Sequence, residues 1–351
     1  MDEAVCQIAA CRSLPYFRSE QFAETVRNVS ADVAYLFQTQ SLPLTIAASG
    51  TGLMEMAVTN LLDPGDRVIV LNGGTFGQRW TDICSAFQVS VSELKPGLGR
   101  SPDMDVLDGM LTTGVKAVLV NMHETSTGYL YDIEEIGRVV RSHGALFIVD
   151  AVSSIGADRF QMDEWQVDCA LVSTQKALAL MPGLGYIAFS PRAWERVEHV
   201  KRGRYYFDAT DYRRNLTRGM TPFTPAMIAI LQVQERMKQI RAMGLDAWIG
   251  LHADRAGAFR TALFDGSGEF SLFPQRSSNA ISAVKLPSDV SRDSVIAYMR
   301  DRYDWWFAPN PIRIQNSLRV SHMGDLSSDI LKLAAARIIE AVEQIRKRGR
   351  A

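Results

Sequence analysis

Short apolar runs alternate with amphipathic stretches between residues 44 and 190. Five runs have the length of a strand, at residues 66–72, 115–122, 145–152, 168–174 and 185–190. Nearly continuous apolar runs of this length are typical of strands that are buried on both faces of a mostly parallel sheet. The stretch 132–144 begins with acidic residues and ends on a glycine, as amphipathic helices often do. The pattern therefore predicts a doubly wound α/β domain.

The remainder of the chain has a different pattern. It is helical in character from about residue 193 to 250, and strands are predicted near 279–287 and 317–324 before a closing amphipathic helix at 329–348. We therefore predict three parts: an N-terminal arm (1–20), a large domain (21–240) and a smaller C-terminal α+β domain (241–351).

Composition narrows the possible partners. The chain has 351 residues and a formal net charge of -1, so there is no general electrostatic reason to expect nucleic acid or an anionic membrane. No apolar run reaches the roughly 18 residues that span a bilayer, and the N-terminus lacks the features of a signal peptide. The four cysteines, Cys6, Cys11, Cys84 and Cys169, have no metal-binding spacing and fit a reducing compartment. We expect a cytoplasmic protein without a metal.

Small residues precede the predicted helix that begins near residue 50. The turn Ser49–Gly50–Thr51 leaves backbone N–H groups free to bind a phosphate at the helix N-terminus, although it could also be a plain turn. A dinucleotide site would need a carboxylate at the end of the next strand, where this chain has Asn72. The turn therefore favours a lone phosphate over a dinucleotide.

Asp150 ends one predicted strand, and Lys176 follows the next. A buried carboxylate stabilises a cationic nitrogen, and a lysine whose pKa is lowered by burial can attack a carbonyl. Taken singly, Asp150 could be a helix cap and Lys176 a solvated side chain. With a phosphate-binding turn at the same sheet edge, they form the set that pyridoxal 5'-phosphate requires.

Seven stretches resemble the class V aminotransferases of pyridoxal-phosphate fold type I, near the alanine–glyoxylate and 2-aminoethylphosphonate–pyruvate enzymes. They span about residues 45 to 330 in the family's order, and read SGTGLMEMAVTNLLDPGDRVIVLNGGTFGQRW, HETSTGYLYDIEEIG, VDAVSSIG, DCALVSTQKAL, PGLGYIAFS, TPFTPA and LRVSHMG. The resemblance implies a transaminase that works by a ping-pong Schiff-base mechanism, and a homodimer with shared active sites.

The resemblance also implies roles for individual residues. Lys176 would bind the cofactor as a Schiff base and later move a proton, and Asp150 would pair with the ring nitrogen. Val152 and Phe76 would pack against the two ring faces, and Thr125 would lie near the ring hydroxyl. The remaining implied roles are phosphate binding by Ser49, Gly50, Thr51 and Gln175, contact with the partner's cofactor by Thr224 (or, less directly, Thr221), and substrate-carboxylate binding by Arg319.

Ordinary structural roles remain open for several of these residues. Val152 and Phe76 could be core residues, Arg319 a surface ion-pair residue, and Thr125 and Thr224 turn or cap residues.

The chain departs from the family pattern in two places. Phe17 stands where relatives commonly have a histidine, and residues 304–311 replace a stretch that is commonly glycine-rich. Trp305 and Trp306 would either cover the acceptor site or serve in packing. The acceptor is expected to be pyruvate or glyoxylate, while alanine, serine, aspartate, ureidoglycine and 2-aminoethylphosphonate all remain compatible donors.

Two alternatives share the predicted fold. A cysteine desulfurase would usually have a histidine before the lysine and a later nucleophilic cysteine, whereas this chain has Gln175 and no cysteine after Cys169. A non-catalytic binding module would usually have lost the lysine or the aspartate, and both are present.

Overall fold

A computed structural model describes residues 1–10, 13–307 and 316–350. Residues 349 and 350 are described by their backbone alone. The helices are α1 Glu3–Ala9, α2 Glu20–Phe37, α3 Gly50–Leu61, α4 Thr75–Ala86, α5 Met104–Met110, α6 Ile133–Ser142, α7 Pro191–His199, α8 Ala209–Leu216, α9 Met227–Met243, α10 Leu245–Gly266, α11 Arg292–Tyr303 and α12 Ser328–Arg350. The strands are β1 Leu44–Ile46, β2 Arg67–Leu71, β3 Ser90–Leu94, β4 Val115–Asn121, β5 His123–Glu124, β6 Tyr129–Leu130, β7 Leu146–Asp150, β8 Cys169–Ser173, β9 Gly185–Phe189, β10 Ser271–Leu272, β11 Ile281–Lys285 and β12 Ser317–Ser321.

Seven strands form the main sheet in the order β1-β9-β8-β7-β4-β2-β3. The pairs from β8 to β3 are parallel, and β9 runs antiparallel to both of its neighbours. Strands β7, β8 and β9 are buried along their whole length, which explains why their sequences lack polar alternation. The predicted α/β fold with a large, mostly parallel sheet is confirmed.

Helix starts on the main domain follow the local sequence. Ser49 caps α3 and Asp132 caps α6, each by accepting a backbone N–H in the first turn. Helices α3, α4, α6 and α7 pack against strands of the main sheet. This arrangement brings the N-termini of α3 and α4 towards the carboxyl ends of the parallel strands.

A second, antiparallel sheet of β10, β11 and β12 packs with α10, α11 and α12 around its own hydrophobic cluster. Helix α10 contributes to both hydrophobic cores. Trp248 lies in the core around the main sheet, whereas Phe259 and Leu263 lie in the core of the second sheet. The domain boundary near residue 240 stays a prediction, and the nearest break in the helical backbone is Gly244, with φ +90°.

The N-terminal segment is anchored on the large domain. Val5 on α1 is fully buried, and its carbonyl accepts a hydrogen bond of 3.2 Å from the Gln232 side chain on α9. Asp2 forms an ion pair of 2.7 Å with the buried Arg236. These contacts hold α1 against α9.

Candidate active site

The carboxyl ends of β4, β7 and β8 meet at one edge of the main sheet. Asn121 pairs with Asp150 in the parallel register of β4 and β7, and Ser173 ends β8 beside them. This edge is where open α/β sheets bind ligands, because the loops that follow parallel strands all emerge there.

Asp150 is buried at the end of β7. Its Oδ2 accepts a hydrogen bond of 2.6 Å from the Asn121 amide, and its Oδ1 accepts one of 2.8 Å from the Val152 backbone N–H. Burial raises the pKa of Asp150 to about 6, although the two hydrogen bonds and Arg79 act in the opposite direction. A carboxylate in this setting would be stabilised by a cationic ligand.

Lys176 lies in the turn after β8. Thr174 is hydrogen-bonded to residues on the far side of this turn. Its N–H donates to the Leu184 carbonyl, and its carbonyl accepts from the Leu180 N–H, both at 3.1 Å. Burial lowers the pKa of Lys176, Arg319 and Arg79 lower it further, and Asp150 opposes them. The neutral, nucleophilic form of this amine is therefore easier to reach than that of an exposed lysine.

The N-terminus of α3 forms the predicted phosphate-binding turn. Ser49 accepts the Gly52 N–H with its hydroxyl at 3.4 Å and the Leu53 N–H with its carbonyl at 3.1 Å. The N–H groups of Gly50 and Thr51 lie in the first turn, where no intrahelical partner exists. A Cβ on Gly50 would lie 2.9 Å from Val152 Cγ2, so Gly50 allows the helix to approach the loop after β7 closely.

Arg79 connects the α3 turn to the aromatic residue on α4. Its Nη1 donates a hydrogen bond of 2.9 Å to Thr51 Oγ1, and its guanidinium carbon lies 4.8 Å from the centre of the Phe76 ring. It therefore adds a positive charge beside the turn. Sequence reasoning missed Arg79, although its position three residues after Phe76 puts both on one helix face.

Glu124 is a second residue that sequence reasoning missed. It is buried, and Oε2 accepts the N–H groups of Phe76 at 3.1 Å and Gly77 at 2.9 Å. A carboxylate at the first turn of α4 satisfies amides that have no partner within the helix. This contact fixes where α4 begins and hence where the Phe76 ring lies.

Thr125 belongs to a buried hydrogen-bonded network. Its hydroxyl lies 2.7 Å from that of Ser153, which lies 3.1 Å from His123 Nδ1. Burial lowers the pKa of His123 to about 3, so its ring is neutral. The network fixes the position of the Thr125 hydroxyl without adding a charge.

A cavity of about 900 Å³ brings several predicted residues together. Phe76, Thr125, Gln175, Lys176 and Arg319 all line it. Arg319 on β12 also donates a hydrogen bond of 3.1 Å to the Thr125 carbonyl, which joins the second sheet to the main-sheet edge. The other predicted residues are not part of its lining: Asp150, Val152, Ser49, Gly50 and Thr51.

The residues at this edge fit pyridoxal phosphate. The set combines a helix N-terminus with an adjacent guanidinium, a buried carboxylate and a lysine of lowered pKa. Within the described residues, the buried Gln175 Oε1, Ser173 Oγ and Asn121 Oδ1 also have no hydrogen-bond partner. Buried polar atoms without partners are costly, so three of them at one edge indicate that a polar ligand belongs there.

A family model described as Aminotransferase class-V matches residues 9–285. The chain belongs to the class V aminotransferases. Two named relatives match most of this chain, and one of them is itself an aminotransferase. This aminotransferase is 32% identical over 312 residues to the L-aspartate–glyoxylate aminotransferase of Paracoccus denitrificans, covering 87% of this chain and 78% of that one. It is 35% identical over 332 residues to the small subunit of a soluble hydrogenase from Synechococcus, covering 93% and 86%.

Solved structures show the same architecture. The aminotransferase superimposes on an aspartate aminotransferase of subgroup IV from Thermus thermophilus with a TM-score of 0.90 and 27% identity, covering 98% of this chain and 97% of that one. The predicted fold type and family are therefore both confirmed.

Thr224 lies apart from the cavity of its own chain. It is exposed and lines a separate hollow of about 310 Å³ together with Phe17 and Arg18. The Thr221 hydroxyl donates a hydrogen bond of 2.6 Å to the Phe223 carbonyl. The predicted contact of Thr224 with a partner's cofactor stays a prediction.

The described part of the aminotransferase contains neither a membrane-spanning helix nor a cluster of metal ligands. None of its helices is both long and apolar enough to cross a bilayer. In residues 1–10, 13–307 and 316–350, no group of three or more His, Cys, Asp or Glu side chains could hold a metal ion.

Proposed function

We propose that this aminotransferase uses pyridoxal phosphate to move an amino group from an amino acid or aminophosphonate donor to a small 2-oxo acid, pyruvate or glyoxylate, in two half-reactions. The observation that carries the proposal is that Lys176 and Arg319 line one cavity while the charge of Asp150 is close enough to act on that lysine. The glyoxylate-dependent aminotransferases among its relatives support the choice of acceptor.

The residues divide the work. When bound, the cofactor supplies an electron sink for the charge that develops as the donor's Cα proton is removed. Lys176 takes that proton with its neutral amine and returns a proton later, because burial favours the uncharged form. Asp150 keeps the ring nitrogen protonated, since a buried carboxylate stabilises a cationic partner.

Substrate orientation falls to Arg319 and Thr125. The Arg319 guanidinium can bind a carboxylate through two parallel hydrogen bonds, which orients the donor and then the oxo acid. Its bond to the Thr125 carbonyl fixes one face of the guanidinium relative to the cofactor site. Gln175 and the first turn of α3 would hold the phosphate.

Spectroscopy of the half-reactions tests the proposal. The visible absorbance of the loaded protein should disappear with an amino donor and return with pyruvate or glyoxylate. Lys176→Ala should lose both changes, and Lys116→Ala, at an exposed position on β4, serves as the control. If no amino acid or aminophosphonate changes the absorbance of the parent protein, the proposal is wrong.

We also infer a homodimer in which each chain completes its partner's site. Thr224 and the α1–α2 connection around Phe17 line a hollow away from Lys176, as expected if that surface serves another chain. Complementation tests this inference. A mixture of Lys176→Ala and Thr224→Val chains should recover activity above that of either variant alone, because one site of each mixed dimer is intact. A monomer in sedimentation would contradict it.

The desulfurase alternative receives no support from the described cysteines. Cys84 and Cys169 are buried, and burial raises the pKa of Cys84 to about 12 and that of Cys169 well above its usual value. A thiol needs its ionised form to act as a nucleophile. The exposed Cys6 does not line the cavity that contains Lys176.

A further inference from the structure

The cavity beside Lys176 has a largely apolar wall on the side formed by the second sheet and its helices. Leu180, Ile281, Met323, Leu331, Trp305 and Phe307 contribute to this wall. Its volume of about 900 Å³ is near the upper end of typical small-molecule sites. The cofactor and the donor would share this volume, and the apolar wall borders the part of it that faces the second sheet.

Charges on the cavity lining are few. Among its described residues, Lys176 and Arg319 are the basic ones, and Asp304 is the acidic one. Asp304 Oδ1 accepts a hydrogen bond of 2.9 Å from Trp306 Nε1, so the carboxylate is engaged by its own loop. With Arg319 assigned to the substrate's α-carboxylate, the described side chains that this chain contributes to the lining offer no further cation to a second carboxylate or a phosphonate, and burying such a group without a partner is costly.

The aromatic residues reach the cavity because of a backbone turn after α11. Asp304 adopts a left-handed conformation with φ 55°, and its N–H bonds to the Arg300 carbonyl at 2.9 Å, which ends the helix. The turn directs Trp305, Trp306 and Phe307 to the cavity lining. Trp306 is 75% exposed, which is unusual for a tryptophan and leaves its ring available to an apolar ligand.

We propose that the amino donor is a monocarboxylic amino acid with a large apolar or aromatic side chain, and that Trp305 and Trp306 help to select it. This inference rests on the proposed function and narrows its donor class. The α-carboxylate binds Arg319, the amino group lies near Lys176, and the side chain occupies the apolar wall. Anionic donors such as aspartate and 2-aminoethylphosphonate are then poor donors.

A donor panel tests the inference with the loaded protein. Phenylalanine, leucine and methionine are compared with alanine, serine, aspartate and 2-aminoethylphosphonate by kcat/KM of the first half-reaction. Burying a side chain of the size of leucine or phenylalanine should favour the apolar donors by roughly tenfold to hundredfold over alanine. Aspartate, serine or the aminophosphonate reacting as well as phenylalanine would overturn the inference.

Variants locate the selectivity. Trp305→Ala and, separately, the exposed Trp306→Ala should each lower the phenylalanine-to-alanine ratio of kcat/KM. Leu42→Ala is the control, because Leu42 is exposed and lies outside the cavity. The ratio staying at the parent value in both tryptophan variants would contradict the proposal.

A binding measurement separates this inference from the proposed function. Calorimetry with unreactive carboxylates should rank 3-phenylpropanoate above propanoate and succinate as ligands of the loaded protein. If this order holds and no donor reacts, the proposed function fails and the inference about the cavity stands. If donors react but succinate binds as tightly as 3-phenylpropanoate, the inference fails and the proposed function stands.

Discussion

Asn121 donates a hydrogen bond of 2.6 Å to Asp150 across neighbouring parallel strands, and both side chains are buried. The bond stabilises the ionised carboxylate, yet burial has the larger effect and raises the Asp150 pKa to about 6. Without a bound cation, Asp150 is therefore a carboxylate held in an unfavourable environment. A cofactor with a cationic ring nitrogen would relieve that cost.

Asp150 should make the cofactor-free protein less stable as pH rises. Its folded pKa of about 6 lies above the ordinary value of 3.8, so the folded state keeps a proton that the unfolded chain loses. The contribution is complete below pH 4 and is lost as pH rises through 6. The difference in unfolding free energy between the parent and Asp150→Asn should fall by roughly 2 kcal/mol from pH 4 to pH 7.

Denaturant titrations of both proteins at several pH values measure that difference. Addition of pyridoxal phosphate should reduce the pH dependence of the parent, because the bound cation stabilises the ionised carboxylate. If the difference in unfolding free energy between the parent and the variant does not vary with pH, Asp150 does not have the raised pKa inferred here.

Gly50→Ala should weaken both folding and phosphate binding. The new Cβ would lie 2.9 Å from Val152 Cγ2 and 3.1 Å from Ser173 Oγ, so either α3 or these two side chains must move. We expect a loss of about 1–3 kcal/mol in the free energy of unfolding. Inorganic phosphate should also bind more weakly to the cofactor-free variant.

Gly257→Ala is the matched control for that substitution. Gly257 lies in α10, and a Cβ there meets nothing within 4 Å. Alanine should therefore stabilise the helix by about 0.5–1 kcal/mol. Equal effects at the two positions would show that the close approach at Gly50 is unimportant.

Arg319→Lys should raise KM for the oxo acid by about 10- to 100-fold, with a smaller change in kcat, because an ammonium cannot form the two parallel bonds of a guanidinium. Steady-state kinetics with glyoxylate measures both constants. Arg27→Lys is a suitable control, since Arg27 pairs with Glu20 on α2 and lies outside the cavity. An unchanged KM in Arg319→Lys would show that the carboxylate binds elsewhere.

His322 should make the protein sensitive to acid. Burial lowers its pKa from 6.5 to about 3, so the folded protein excludes a proton that the unfolded chain binds below pH 6.5. Its contribution to the free energy of unfolding is present above pH 6.5 and falls by about 2 kcal/mol at pH 5. The difference between the parent and His322→Gln should shrink accordingly on acidification. If the difference in unfolding free energy grows on acidification instead, the pKa of His322 is not lowered in the folded protein.

The sequence predicted the parts of the site that depend on strand order. Asp150 and Lys176 could be found because each follows an apolar run, and parallel strands bring such ends to one edge. Phe76, Thr125, Gln175 and Arg319 came from a family resemblance, and they do line the cavity that contains Lys176. The roles of these residues in binding remain predictions.

Residues that act through long-range contacts were not predictable in this way. Glu124 caps α4 from a position 47 residues beyond Gly77, and the Thr125–Ser153 hydrogen bond joins residues 28 positions apart. Neither spacing has a local signature, because tertiary packing alone decides which buried polar groups meet. The spacing of Arg79 and Phe76 places both on one face of α4, but the bond from Arg79 to Thr51 depends on how α3 and α4 pack.

Helix α10 has a mechanical consequence. Its 22 residues form one rod of about 33 Å that begins after Gly244 and connects the two hydrophobic clusters. Near its start, Trp248 Nε1 and the Ala177 Cβ lie 3.7 Å and 3.4 Å from the position of a Cβ at Gly156. Trp248 therefore lies close to Ala177, the residue that follows Lys176. Since α10 also packs on α12, which carries Leu331 of the apolar wall, one continuous helix supports both that wall and the packing beside Lys176.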